Sequence, residues 1–100
     1  MPTKRSNVIA DVIKAIAEGR FKYSNHALAQ MKARDIQVSD IEESVHNATR
    51  EEHKDEINKT GTDWKYVLRG LNENGDKDIR TVVDFKDPDV VLITAIDKNK

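Results

Sequence analysis

Cysteine is absent from this chain, and that removes two structural devices at once. Without thiols there is neither a disulfide framework nor a cysteine-ligated zinc site. Long apolar runs are missing too: no stretch approaches the roughly 20 residues needed to cross a bilayer. The leading "MPTKRSNVIADVI" has basic residues but no continuous apolar core, so it does not read as a secretory signal. A soluble cytoplasmic protein is the expectation. The four glycines are scattered and cannot make a phosphate-cradling loop. No Gly-x-Ser-x-Gly occurs, which leaves a serine nucleophile unsupported. His26, His46 and His53 fit neither His-Glu-x-x-His nor His-x-x-Glu-His spacing, so no metal is expected.

What the chain has in excess is charge. Charged residues make up 35% of it, above the usual quarter, while aromatics are only 5%. The net charge of −1 conceals a segregation. Residues 1–34 hold seven Lys/Arg against two Asp/Glu, a balance of +5. Residues 35–63 hold three against nine, a balance of −6, and residues 64–100 hold seven of each. A uniformly basic nucleic-acid binder is excluded; a local basic patch is not. The acidic middle reads either as a solvated face or as a surface for a basic partner.

One hundred residues suffice for a single small domain with one core. "SNVIADVIKAIAEG" predicts an amphipathic helix with Val8, Ile9, Val12, Ile13 and Ile16 on one stripe, Ser6 as N-cap and Gly19 as terminator. "FKY" reads as a short extended link. Ser24 or Asn25 caps a second helix, about 25–34, with Leu28 and Met31 inward. "SDIE" at 39–42 fits a capping box, predicting a third helix from about Asp40 to Ala48 over Ile41 and Val45. The polar stretch 50–63 predicts an edge strand and a turn at "KTGTD". "WKYVLRGL", "IRTVVDF" and "VVLITAI" are strand-like, and no repeat or domain boundary appears. The expected fold is α+β: three N-terminal helices packed on one face of a three- or four-stranded antiparallel sheet.

Asn74-Gly75 is a strong hairpin-turn signal and sets a register. Glu73 then pairs with Asp76, Trp64 faces Phe85, Tyr66 faces Val83 and Leu68 faces Thr81. On the other face Lys65 meets Asp84, Val67 meets Val82 and Arg69 meets Arg80. One face is apolar and the other mostly charged, as a half-buried sheet requires. Two arginines in direct opposition either splay into water or hold something anionic between them.

His26 falls in the first turn of the second helix, where the positive dipole end disfavours an imidazolium and keeps a general base neutral. A capping or partly buried histidine is the alternative there, and Arg34 alone reads as a surface cation. Together, however, "YSNHALAQMKARDIQVSDIEESV" resembles the signature of the domain of unknown function 4258 family, roughly "fs-x-HA-x-x-RM-x-x-RGI-s-x-x-dv". That family is allied to RelE-like and BrnT-like toxin ribonucleases and to C-terminal modules of bacterial polymorphic toxins. His26, Ala27, Met31, Arg34 and Ile36 occupy its signature positions, and Thr94 its C-terminal strand threonine. Gln30 stands where the family usually has arginine, and Asp35 where it usually has glycine. The first departure removes a cation; the second sets an acid beside Arg34.

The resemblance implies a RelE-like or barnase-like architecture and metal-independent RNA cleavage. The substrate's 2′-OH would be the nucleophile, so the protein need supply only an acid, a base and cations for the phosphorane. His26 is then the candidate acid or base, and Arg34, Arg69 and Arg80 complete the catalytic set with Thr94. Lys65, Lys22 and Tyr66 are the candidate RNA-binding residues, although the hairpin register puts Tyr66 on the apolar face. The face of Thr94 depends on the length of the "KDPD" turn. Expected partners are an RNA substrate and a cognate antitoxin or immunity protein, with no cofactor, metal or membrane. The alternatives are a non-catalytic binding module on the same fold, favoured by the acidic segment, and an unrelated regulatory or small-molecule domain.

Overall fold

The structure is a computed structural model that describes residues 2–99. It is a mixed α+β fold of three helices and a six-stranded open sheet. In chain order the elements are α1 (Val8–Ala17), β1 (Phe21–Tyr23), α2 (Asn25–Ala33), α3 (Val38–His46), β2 (Thr49–Arg50), β3 (Glu56–Ile57), β4 (Trp64–Leu71), β5 (Asp78–Lys86) and β6 (Asp89–Asp97), with one 3₁₀ turn, Glu52–Lys54, between β2 and β3. The sheet order is β1-β6-β5-β4-β2, with β3 also pairing β4. Helices do not all precede strands, as the sequence had suggested. "FKY" is a strand, and it pairs parallel to β6 through Phe21–Val90 and Tyr23–Leu92. The sheet is therefore mixed and wider than expected.

α1 ends as its glycine predicts. Gly19 has φ 72, and the Arg20 N–H reaches back to the Ala15 carbonyl at 2.8 Å. Its N-cap is Asn7 rather than Ser6, and the buried stripe is Val8, Val12 and Ala15, with Ile9, Ile13 and Ile16 packed at its border. α2 starts at Ser24, whose Oγ accepts from the Ala27 N–H at 3.0 Å. Its inward pair is Ala27 and Met31; Leu28 is 47% exposed, one helix position off the predicted face.

α2 closes with the same backbone device as α1, but on Asp35. That residue has φ 56, and the Ile36 N–H bonds the Met31 carbonyl at 2.8 Å, which drops Ile36 into the core. An L-residue is strained in this left-handed conformation, though aspartate tolerates it better than most. Asp35→Gly should therefore raise the thermal midpoint by about 2–4 °C, equivalent to about 0.5 kcal/mol for a domain this size. A lower midpoint would mean that the Asp35 carboxylate, which accepts from Gln37 Nε2 at 3.4 Å, outweighs the backbone strain.

That tight turn also moves the start of α3. Its N-cap is Gln37, whose N–H bonds the Asp40 carboxylate at 2.9 Å; Ser39 and Glu42 do not form the box. Ile41 and Val45 are fully buried, as expected.

The β4–β5 hairpin follows the predicted register from Lys65–Asp84 through Arg69–Arg80. Its connection is longer than two residues: the Asn72 N–H bonds the Lys77 carbonyl, and Gly75 takes φ 72. Both loops are centred on Asn74-Gly75, so lengthening the loop symmetrically leaves the pairing unchanged. Tyr66, Leu68, Ile79, Val83, Leu92 and Ala95 form the sheet side of the core, against α1, α2 and α3. The opposite face carries Lys65, Val67, Arg69, Arg80, Val82 and Asp84 and has no helix over it.

Candidate functional site

On that uncovered face the edge of β4 is paired unevenly. β2 pairs with Leu68 and Arg69, and β3 with Trp64 and Lys65, which leaves the Val67 backbone without a strand partner. Two local groups take over. The Glu51 N–H donates to the Val67 carbonyl at 2.9 Å, and the Val67 N–H donates to Asp55 Oδ1 at 2.9 Å. The intervening 3₁₀ turn packs against β4, and its His53 and Lys54 are exposed.

Asp55 is the pin of this arrangement. Its side chain is 0% exposed, and Oδ2 accepts from Arg50 at 2.8 Å and faces Lys4 at 3.3 Å. Across from the turn, β6 contains a bulge: Val82 pairs with Thr94 but Val83 with Leu92. Ile93 is the extra residue, so Ile93 and Thr94 both reach the uncovered face. The bulge, rather than the length of the "KDPD" turn alone, decides where Thr94 points.

Turn, sheet and bulge enclose a cavity of about 640 Å³. Val67, Val82 and Ile93 form its apolar part; its polar part is His53, Lys54, Lys65, Arg80 and Thr94 together with the acids Asp55 and Glu56. Of the catalytic candidates Arg80 and Thr94 line it, and of the RNA-binding candidates Lys65 does. A second cavity of about 270 Å³ adjoins it, sharing Lys65 and Ile93 and reaching Ser24.

The opposed arginines neither splay freely nor share one anion. Arg69 makes a two-pronged contact with Asp78 at 3.0 and 2.7 Å, and Arg80 makes one with Glu51 at 2.6 and 3.2 Å. Each has its own carboxylate, which relieves the cross-strand repulsion. The hydrogen bond from Arg80 holds the Glu51 carboxyl below its ordinary range, and the one from Arg69 does the same for Asp78.

The remaining predicted residues lie elsewhere. His26 is exposed in the first turn of α2, on the helix side of the sheet, and does not line the larger cavity. Arg34, half-buried, is the C-cap of the same helix. Eight positions of helix rise set them ~12 Å apart along the axis. Ala27, Met31 and Ile36 are buried, so most of the signature serves packing. Gln30, in place of the expected arginine, accepts from the Ala95 N–H at 3.0 Å and fastens α2 beside the bulge. Lys22 sits on edge strand β1 with its ammonium 3.3 Å from the Gly19 carbonyl. Tyr66 is 0% exposed; its hydroxyl accepts from the Arg5 N–H and donates to Asp63, so it offers no surface for stacking a base.

His53, which the sequence reading weighed only as a metal ligand, lines the larger cavity. Nothing local marks it, because its position depends on two dipeptide strands and a turn between them. Among the described residues, no group of three or more His, Asp or Glu side chains is arranged to hold a metal ion. No described helix is long and apolar enough to cross a membrane.

Fold and site together define an open-faced α+β protein with a polar cavity on its uncovered sheet face. Residues 23–97 match the family model described as a domain of unknown function, DUF4258, and the chain belongs to that family. No curated protein and no solved structure matches it.

Proposed function

We propose that this protein is a metal-independent endoribonuclease of toxin type, working on its uncovered sheet face. One observation carries the reading: the larger cavity gathers His53, Lys65, Arg80 and Thr94 against an apolar wall. These are the groups such a reaction requires. The ribose 2′-OH attacks phosphorus, the P–O5′ bond breaks, and the products are a 2′,3′-cyclic phosphate and a 5′-OH. His53 transfers the proton in this scheme, taking over the role that the signature alone would give to His26. Lys65 and Arg80 stabilise the charge on the phosphorane, and Thr94 donates a hydrogen bond to it. Arg80 must exchange part of its Glu51 contact for the phosphate.

The test is cleavage of single-stranded RNA in the presence of a chelator. Wild type should leave 2′,3′-cyclic phosphate ends, and its expression should arrest growth. His53→Ala should slow cleavage by about 10²–10⁴-fold, the usual worth of a positioned acid or base. RNA left uncut by wild type, or cut equally well by His53→Ala, would overturn the reading. A second reading, a non-catalytic binding module, draws on the internal neutralisation of Arg69 and Arg80 by Asp78 and Glu51. It requires the wild type to be harmless and to leave RNA intact.

A further inference from the structure

The smaller cavity differs from the larger one in charge. Asp55 and Glu56 offset the cations around His53, and Glu51 occupies Arg80. The smaller cavity has Lys59, Lys65 and Lys86 around it, against Asp84 alone. Lys86 and Lys65 are only loosely held, 3.8 Å from Asp84 and 3.7 Å from Glu56. Lys59 has no ion-pair partner among the described residues.

Lys59 is also held in place. Asn58 Oδ1 accepts from Thr60 Oγ1 and the Thr62 N–H, both at 3.1 Å, while Asn58 Nδ2 reaches Asp84 at 3.4 Å. The backbone that carries Lys59 is therefore tied to β5. The cavities meet at Lys65 and Ile93. Along β5 the step from Val82 in one to Asp84 in the other is two residues, ~7 Å, comparable to one backbone repeat of an extended polynucleotide.

We infer that the smaller cavity is a phosphate anchor for single-stranded RNA, holding the phosphate next to the one being cleaved. Lys59 and Lys86 bind the anchored phosphate, and Lys65 stands between the two. This rests on the ribonuclease reading of the larger cavity, but binding can be measured apart from cleavage. A dinucleoside monophosphate, with one phosphate, fills only the reaction cavity; a trinucleotide with two reaches the anchor.

Affinity of the full chain should be measured for that length series, with inorganic phosphate as a separate arm, in wild type and in Lys59→Ala/Lys86→Ala. Both lysines are exposed, so the melting midpoint should not move. Wild type should gain about tenfold in affinity when the second phosphate is added, and the double variant should not. On a longer single strand, the variant's dependence of log K on log salt should be shallower by about 0.7, for one lost phosphate contact. The inference is overturned by an equal gain in the variant, by no gain in wild type, or by inorganic phosphate binding as tightly as the trinucleotide. A lysine-dependent gain without RNA cleavage would leave the anchor standing and remove the ribonuclease reading.

Discussion

Gly70→Ala should destabilise the protein by about 3 kcal/mol or more, lowering the thermal midpoint by more than about 10 °C. Gly70 lies in β4 opposite Ile79, on the face covered by α3. A Cβ placed there would lie 2.2 Å from the Ser44 carbonyl oxygen and 2.9 Å from the Ala48 Cα. Both are backbone atoms, so no side-chain rotation can relieve the overlap; α3 must move away by about an ångström. It is poorly free to do so. Asp40, in its first turn, accepts from Asn72 at 3.1 Å and faces Lys77 at 3.7 Å, tying the helix to the β4–β5 hairpin. Alanine is the better strand residue by only about 0.5–1 kcal/mol, far less than the repacking cost. A midpoint within 2 °C of wild type would show that α3 slides along the sheet more easily than these ties imply.

Asp55→Ala should cost about 3 kcal/mol and remove the site with the fold largely intact. The Asp55 side chain is wholly buried, and that of Arg50 beside it is only 15% exposed. Arg50 Nε already has no partner, so losing the carboxylate leaves a confined cation without its main counterion. Removing one member of such a pair costs about 3–5 kcal/mol when both are fully buried, and partial exposure of Arg50 and Lys4 favours the lower end. The local effect is more telling. The Val67 N–H loses its acceptor and the segment carrying His53 loses its fastening, so the Val67 amide should exchange with solvent much faster. Asp55→Asn preserves the shape and an acceptor, and should fall between wild type and alanine in both measurements. A protected Val67 amide in Asp55→Ala would show that β2 and β3 hold the turn unaided.

Legibility varied with how local the determining interactions are. The β4–β5 register could be read whole, because the alternation of apolar and charged residues and the Asn74-Gly75 turn point to the same pairing. α1 and its termination were equally readable, since Gly19 and the apolar stripe act within a few turns. β1 was not: three residues carry no periodicity, and their partner lies in β6, at the far end of the chain. The start of α3 was misplaced because Asp35 takes a backbone conformation usually reserved for glycine.

Register and resemblance singled out Lys65, Arg80 and Thr94, which line the larger cavity. The neutralising carboxylates were not, because Glu51 comes from outside the hairpin and Asp78 lies diagonal to Arg69. His26 and Arg34 drew notice through the signature, whose buried members turn out to be the reason α2 packs as it does.

The parallel pairing of β1 with β6 also bears on how the molecule is made. β6 is the last of the described elements, yet it supplies the partner for β1, the docking surface for α2 and the bulge that shapes the cavity. A nascent chain lacking β6 has α2 with no sheet beneath it and β1 with no strand to join. Long-range pairing of this kind slows folding, and here it cannot begin before β6 has been synthesised. Until β6 is in place neither cavity can form, so a shorter nascent chain lacks the site altogether.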